Sequence, residues 1–371
     1  APLLVYADYK DTATYQVFKV GEKGLIDREA QNWERFIKNW HYNNWNVIHL
    51  KKHIPGSPHS LIVYNFAGKP DKEPGTFEDI YEKTKNPEST LKSLIEDILR
   101  PPSDAVRRGR KSQQILSALE TISGGIKEKI IEEVQRLSGL NDVVNIPKIK
   151  INGEELYNPL FFYPFNSLQS PNNITIAIPQ GIVHGDFHAR NIIFYETGAF
   201  IPEGVETNSI EAKIPCIIDY AHTGKKSLYT DIAKMESALK FQLLKVDSIK
   251  DDELLQFEDK SIIYNLKPSN TPSITDSHLQ KLFASIEVLR KTPSSIINLD
   301  NEYTPLGYWI ELYKDSLLHI KYNLSDCQKR YAFISAALIF TRYLTTTAFK
   351  ISEKIKNSRS YLHFPLRPAT R

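Results

Sequence analysis

The chain has 371 residues, 41% hydrophobic and 25% charged, the composition of a folded globular protein long enough for more than one packed unit. Its 47 Lys and Arg against 44 Asp and Glu leave a formal charge of +3, too small to mark a nucleic-acid partner. Cys216 and Cys327 stand far apart, which excludes a disulfide framework and a zinc-ligand spacing and leads us to expect a reducing, cytoplasmic setting.

Taken in order, residues 3–9 (LLVYADY) and 14–20 (TYQVFKV) read as strands joined by a polar KDTA turn. Asp27 reads as an N-cap, and Ile26, Ala30, Trp33 and Ile37 fall at helical spacing, so the pattern predicts a helix over 27–39. Residues 46–50 and 60–66 are further strand candidates, and FAGKP at 66–70 breaks the pattern as a linker. Residues 71–145 are dense in Lys and Glu and mostly helical in pattern, punctuated by GRKSQQ and ISGGIKEK. β-like composition returns at 149–165, followed by apolar strands at 181–184, 192–195 and 214–219. From Asp231 the chain reads as helical, with an apolar stripe at Ile232, Met235, Leu239 and Leu243 and further helices at 279–290, 305–321 and 326–350. The longest nearly pure apolar run, Ala332 to Phe340, is too short to span a bilayer, and no signal-peptide layout opens the chain, so no membrane partner is expected. The chain opens on Ala1 and contains one methionine, Met235, so either an initiator was trimmed or the sequence is a piece of a longer protein.

The chemistry concentrates in QGIVHGDFHARNIIFYETG, Gln180 to Gly198, where His184, Asp186, His188 and Asn191 fall within eight residues between apolar runs. Three readings fit. One is a polar loop whose side chains bond nearby backbone. Another is a zinc or iron triplet, because His184, Asp186 and His188 alternate and would share one strand face. The third includes CIIDYAHTG, which ends a strand on Asp219. Asn191 and Asp219 would then offer hard oxygen ligands to magnesium. Asp186 would stand beside the ion as the base for an incoming hydroxyl, the layout that phosphoryl transfer requires.

HGDFHARN resembles the HGD-x-H-x-x-N loop of the aminoglycoside phosphotransferase and choline kinase group, and IIDYAHTG resembles that group's metal-binding segment. YTDIAKMESALK resembles the segment that follows, and HARNI, DYAHTG and DIAKME together are most similar to phosphotransferase-related modules of bacterial signalling and conflict systems. The resemblance covers about 180–240, with the first seventy residues matching in outline.

It implies an α+β, two-lobed protein-kinase-like fold. A small β-rich lobe would occupy 1–67, and a large mainly helical lobe 68–371, with a catalytic hairpin at 180–220 and a helical insertion near 71–145. It implies ATP and Mg2+ as cofactors, and a hydroxyl-bearing small molecule or protein as acceptor. Asp186 would be the catalytic base, with His188 donating to the transferred phosphate; Asn191 and Asp219 would hold magnesium. His184 would pack under the loop, Arg190 would reach phosphate, and Asp231 would cap a helix and bond the loop backbone. Lys19, inside an apolar strand, would hold the α- and β-phosphates, paired with Glu29 or, at a more usual spacing, Glu34. Backbone from Tyr64 to Phe66 would meet adenine.

One departure bears on activity. Between the first two predicted strands there is no glycine, and the first in the chain is Gly21, already past Lys19. A glycine-rich phosphate cover is therefore missing, either because the chain is cut from a longer protein or because the lobe is reduced. The second account makes the chain an inactive, nucleotide-sensing or scaffolding module within a larger assembly.

Overall fold

Stretches rich in Val, Ile, Tyr and Phe become strands and the periodic stretches become helices in a computed structural model, giving a mixed α/β architecture. It describes residues 16–38, 49–65, 75–92, 94–95, 110–114, 124–151, 153–162, 165, 175–196, 213–266, 274–297, 305–345, 356 and 361–363. The predicted strand 3–9, the linker 66–70 and Phe66 lie outside these residues. In chain order the elements are β1 (Gln16–Glu22), α1 (Lys23–Asn32), β2 (Leu50–Ile54), β3 (His59–Asn65), β4 (Gly75–Thr76), α2 (Phe77–Lys83), β5 (Arg110–Gln114) and α3 (Gly124–Ser138). There follow β6 (Lys148–Ile151), β7 (Glu154–Tyr157), β8 (Thr175–Val183), β9 (Ile192–Glu196), β10 (Lys213–Ile217), β11 (Gly224–Ser227) and α4 (Tyr229–Ala238). The last are α5 (Asp251–Leu266), α6 (Ser277–Ile297), α7 (Pro305–Ile320), α8 (Asp326–Ile339) and β12 (Tyr361–His363). No described helix is long and apolar enough to cross a membrane.

The chain forms two compact units, the first comprising Ala1–Gly109, Gln180–Asp231 and Lys291–Asn298. In it β1, β3 and β2 make an antiparallel sheet in that order. Register pairs Val17 with Tyr64 and Lys19 with Ile62, so Tyr64 and Lys19 belong to the same face. Helix α1 and the helical turn Trp33–Ile37 that continues it cover that face, burying Ile26, Ala30, Trp33 and Ile37 with Ile62, Tyr64, Cys216 and Tyr220.

The helix opens earlier than the sequence pattern places it. Its first residue is Lys23, whose N–H donates to Pro58 O at 3.0 Å. A backbone partner from the neighbouring strand connection thus takes the place of a side-chain cap. Asp27 is instead inside the helix and meets His53 Nε2 of β2 at 2.8 Å, pinning α1 to the sheet.

The stretch from Gln180 is not a hairpin. Residues Gln180–Val183 of β8 pair with β11, whereas β9 pairs with β10 and with β4. The residues between β8 and β9 carry the chain from one sheet to another, and Gly185 at φ 79° makes the turn.

The second unit comprises Arg110–Pro179, Ile232–Arg290 and Leu299–Arg371. Here the GRKSQQ punctuation contains a strand, β5, which pairs with Thr175–Pro179 of β8. β6 pairs antiparallel with β7 and parallel with β12. The helical core contains charges as well as apolar side chains. Glu236 Oε1 lies 2.6 Å from Lys240 Nζ and 2.5 Å from Arg290, and Lys240 reaches Glu258 Oε1 at 2.7 Å. Tyr308 donates to Glu236, while Tyr331 and Ser335 donate to Glu258. Two carboxylates and two cations cancel, and hydroxyls take the remaining lone pairs, so their burial is tolerated. Trp309 lies beneath this cluster, with the Arg290 guanidinium 4.8 Å from its ring centroid and Tyr343 stacked at 4.3 Å.

Candidate active site

The loop between β8 and β9 is tied down by backbone contacts. Asp231 in the first turn of α4 accepts from the N–H groups of His184 and Gly185, each at 2.7 Å. It is the third residue of α4 and so not the expected N-cap, but its carboxylate does bond the loop backbone. Burial pushes that carboxyl above the ordinary range, against the pull of His184 and the two N–H donors. His184 is 3% exposed, and its Nε2–H donates to Ile218 O at 2.8 Å, joining the loop to the segment that carries Asp219. Thr223 Oγ1 adds a bond to His184 O at 3.3 Å.

With His184 turned to a carbonyl, a His-Asp-His metal triplet is not assembled. Among the described residues no group of three or more His, Cys, Asp or Glu is placed to hold a metal ion.

Past the turn the reactive side chains emerge. Asp186 is 30% exposed and His188 25%, so both are accessible to a ligand, unlike His184. His188 Nε2 stands 3.6 Å from Asp186 Oδ2, and its Nδ1 is buried with no hydrogen-bond partner among the described residues. Asn191 closes the loop: its Nδ2 donates to Asp186 O at 2.9 Å and lies 3.5 Å from Asp186 Oδ2. That use of the amide nitrogen leaves Oδ1 as the atom to offer a cation.

Asn191 O also accepts from Ile218 N at 3.0 Å, which sets Asp219 next to the loop although 28 residues separate it from Asn191. Asp219 has φ 69° and ψ 71°, left-handed for a residue with a Cβ. Such strain persists where surroundings over-determine it, and it clusters at functional sites. Tyr220 OH donating to Ile217 O and Asn32 Nδ2 donating to Tyr220 O and Ala221 O supply that constraint.

Lys19 meets this strained carboxylate. Its Nζ is 2.7 Å from Glu29 Oε2 and 3.1 Å from Asp219 Oδ2. Glu29 is 1% exposed, and its second oxygen is met by Tyr64 OH, which donates to Oε1 at 2.6 Å. Burial pulls the Lys19 ammonium down, but the charges of Glu29 and Asp219 outweigh it and the net shift is upward.

Of the two glutamates considered for this lysine, Glu29 is the partner. Glu34 lies exposed and pairs with Lys38. Arg190 is not turned to the loop's interior: its guanidinium forks onto both oxygens of Glu78 in α2, at 2.7 and 3.1 Å. Tyr64 is present, but with its side chain in the core, and its hydroxyl on Glu29 is a contact that strand patterning did not suggest. Glu78 was likewise unforeseen, since nothing in FEDIYEK singles out one acid. Phe66 is outside the described residues.

A family model described as ternary complex associated domain 9 matches residues 127–304. No curated protein sequence matches the chain. Among solved structures, a glucosamine kinase in complex with glucosamine, ADP and inorganic phosphate is 13% identical, with a TM-score of 0.43, over 89% of this chain and 77% of its own. A microcompartment-associated aminopropanol kinase is 12% identical, with a TM-score of 0.36, over 93% of each chain.

Proposed function

We propose that the chain is an ATP- and magnesium-dependent phosphotransferase of kinase-like fold that moves a γ-phosphate to a hydroxyl of a small molecule or protein. The observation that supports this most is the lysine that reaches a buried glutamate at 2.7 Å and a strained aspartate at 3.1 Å, beside a loop carrying a second aspartate and an asparagine.

The donor set suits a hard cation: Asn191 Oδ1 and the Asp219 carboxylate are the oxygens magnesium takes when phosphates and water complete its shell. Bound there, the ion would neutralise charge on the phosphate oxygens. Lys19, held by Glu29, would bind the α- and β-phosphates. Asp186 would orient the acceptor hydroxyl and take its proton, within reach of solvent for an incoming substrate. His188, a quarter exposed with its Nε2 beside Asp186, would donate to the phosphoryl group in transit. Adenine would lie along the backbone that follows Tyr64. The setting we propose is cytoplasmic, with other domains or subunits as partners.

Asp186→Ala and Asp219→Ala should each lower phosphate transfer or release from ATP by at least about 100-fold. Turnover that survives both changes would overturn the proposal.

A second reading has one observation in its favour: Lys19 and Asp219, the groups assigned to phosphate and cation, pair with each other at 3.1 Å. The chain would then bind nucleotide without turning it over, as a sensing or scaffolding module. ATP would raise its melting temperature by mass action, with no ADP formed in the presence of candidate acceptors.

A further inference from the structure

We infer that Tyr64 is a positioning residue for Lys19, acting through Glu29 rather than by touching nucleotide. Its catalytic consequence rests on the phosphotransfer reading; the contact itself does not. Tyr64 is 6% exposed, in the centre of the core shared by α1 and the sheet. Its hydroxyl donates to Glu29 Oε1 at 2.6 Å, and Lys19 takes Oε2 at 2.7 Å. The carboxylate is thereby held at both oxygens, one by a group from β3 and one by the lysine from β1. Burial, and then the charge of Glu29, raise the Tyr64 phenol well above its ordinary range, so the hydroxyl is a permanent donor.

The alternative states of Glu29 explain why this matters. A buried carboxylate with one satisfied oxygen would rotate to seek a second donor, or pull Lys19 into a bidentate contact and away from the site. With Tyr64 in place, Oε1 is fixed and Glu29 can present only Oε2. The lysine then reaches Asp219 at 3.1 Å while still paired. Neither Lys19 nor Glu29 alone sets that reach; the phenol across the sheet does.

The test is the rate at which Lys19 is acylated by acetic anhydride, read on its peptide by mass spectrometry, with no nucleotide present. Tyr64→Phe retains the ring and its packing, and its melting curve verifies that it is folded. Glu29→Gln gives the rate for an amine released from its carboxylate. We expect Tyr64→Phe to shift the acylation rate about threefold or more, upward where Glu29 rotates off Lys19 and downward where its freed Oε1 takes the ammonium with both oxygens. A Tyr64→Phe rate equal to the parent's, or a Glu29→Gln rate equal to the parent's, overturns the inference. In ATP turnover, Tyr64→Phe should lower kcat about tenfold with a smaller change in KM for the acceptor. If acylation changes while the parent chain shows no Asp186-dependent turnover, the positioning role holds and the phosphotransfer reading fails.

Discussion

Gly185 has φ 79°, and a Cβ built there would lie 2.3 Å from His222 O and 2.6 Å from Lys226 Nζ. Gly139 has a similar φ of 72°, but a Cβ there would meet nothing within 4 Å. The pair separates backbone strain from close approach. Gly139→Ala should cost about 1 kcal/mol for the left-handed conformation alone. Gly185→Ala should cost roughly 2–3 kcal/mol or more, because the loop must also move off His222. Urea midpoints measure both, and equal losses would show that the 184–191 loop is not packed this tightly. At this scale much of the site was legible. His184, Asp186, His188 and Asn191 are close in sequence, whereas the partners that hold His184, Ile218 O and the Asp231 carboxylate, lie 34 and 47 residues away. The Tyr64 hydroxyl was not legible, because a tyrosine in a strand is accounted for by β-propensity and burial whatever its hydroxyl does.

Elements position what single residues cannot. Helix α4 delivers Asp231 to the two N–H groups of His184 and Gly185, and both would be buried donors without it. Asp231→Asn keeps the shape but swaps one accepting oxygen for an NH2 group. It should destabilise by about 1–3 kcal/mol and loosen the loop enough to lower turnover. Hydrogen exchange at the two amides reports it directly, and unchanged protection would rule out the strap. The helix was visible in YTDIAKME, although it opens at Tyr229 rather than on Asp231. The start of α1 was not, because its first N–H bonds Pro58 O, contributed by a residue 35 positions away, while the local signal at Asp27 was spent on His53. For Arg190 the partner was hidden for a similar reason. Its fork is filled by Glu78, from an element 112 residues earlier, and pairings of that kind leave no periodic trace.

Across the second unit, the buried charges tie α4 through α8 together. Although burial opposes it, the positive charges of Arg290 and Lys240 lower the Glu236 carboxyl to about 2. Its folded value is thus below the unfolded one, near 4.5. The stability it contributes is complete above the unfolded value and is lost as pH falls toward the folded one. Melting temperature should therefore drop between about pH 5 and pH 2 in the parent. Glu236→Gln should start lower at neutral pH and show a flatter acid limb; parallel limbs would remove Glu236 from the acid response. The stripe Ile232, Met235, Leu239 and Leu243 announced an amphipathic helix, which implies a wet opposite face. Glu236, four residues after Ile232 and three before Leu239, shares the face of that stripe and Lys240 flanks it; both are fully buried, because their charges cancel against Arg290 and Glu258 from elsewhere in the chain. Hydropathy read along one sequence does not see that cancellation.

The placing of Trp33 and Trp309 gives the protein two internal optical gauges. Trp33 is 4% exposed in the first unit, one turn of chain beyond Glu29, and Trp309 is fully buried in the second. With Trp40 and Trp45 exchanged for Phe, each remaining indole emits from one unit alone. Nucleotide that acts through Lys19 and Glu29 should perturb the Trp33 emission and leave the Trp309 signal, isolated in a Trp33→Phe variant, unchanged. A response confined to Trp309 would place the nucleotide in the second unit.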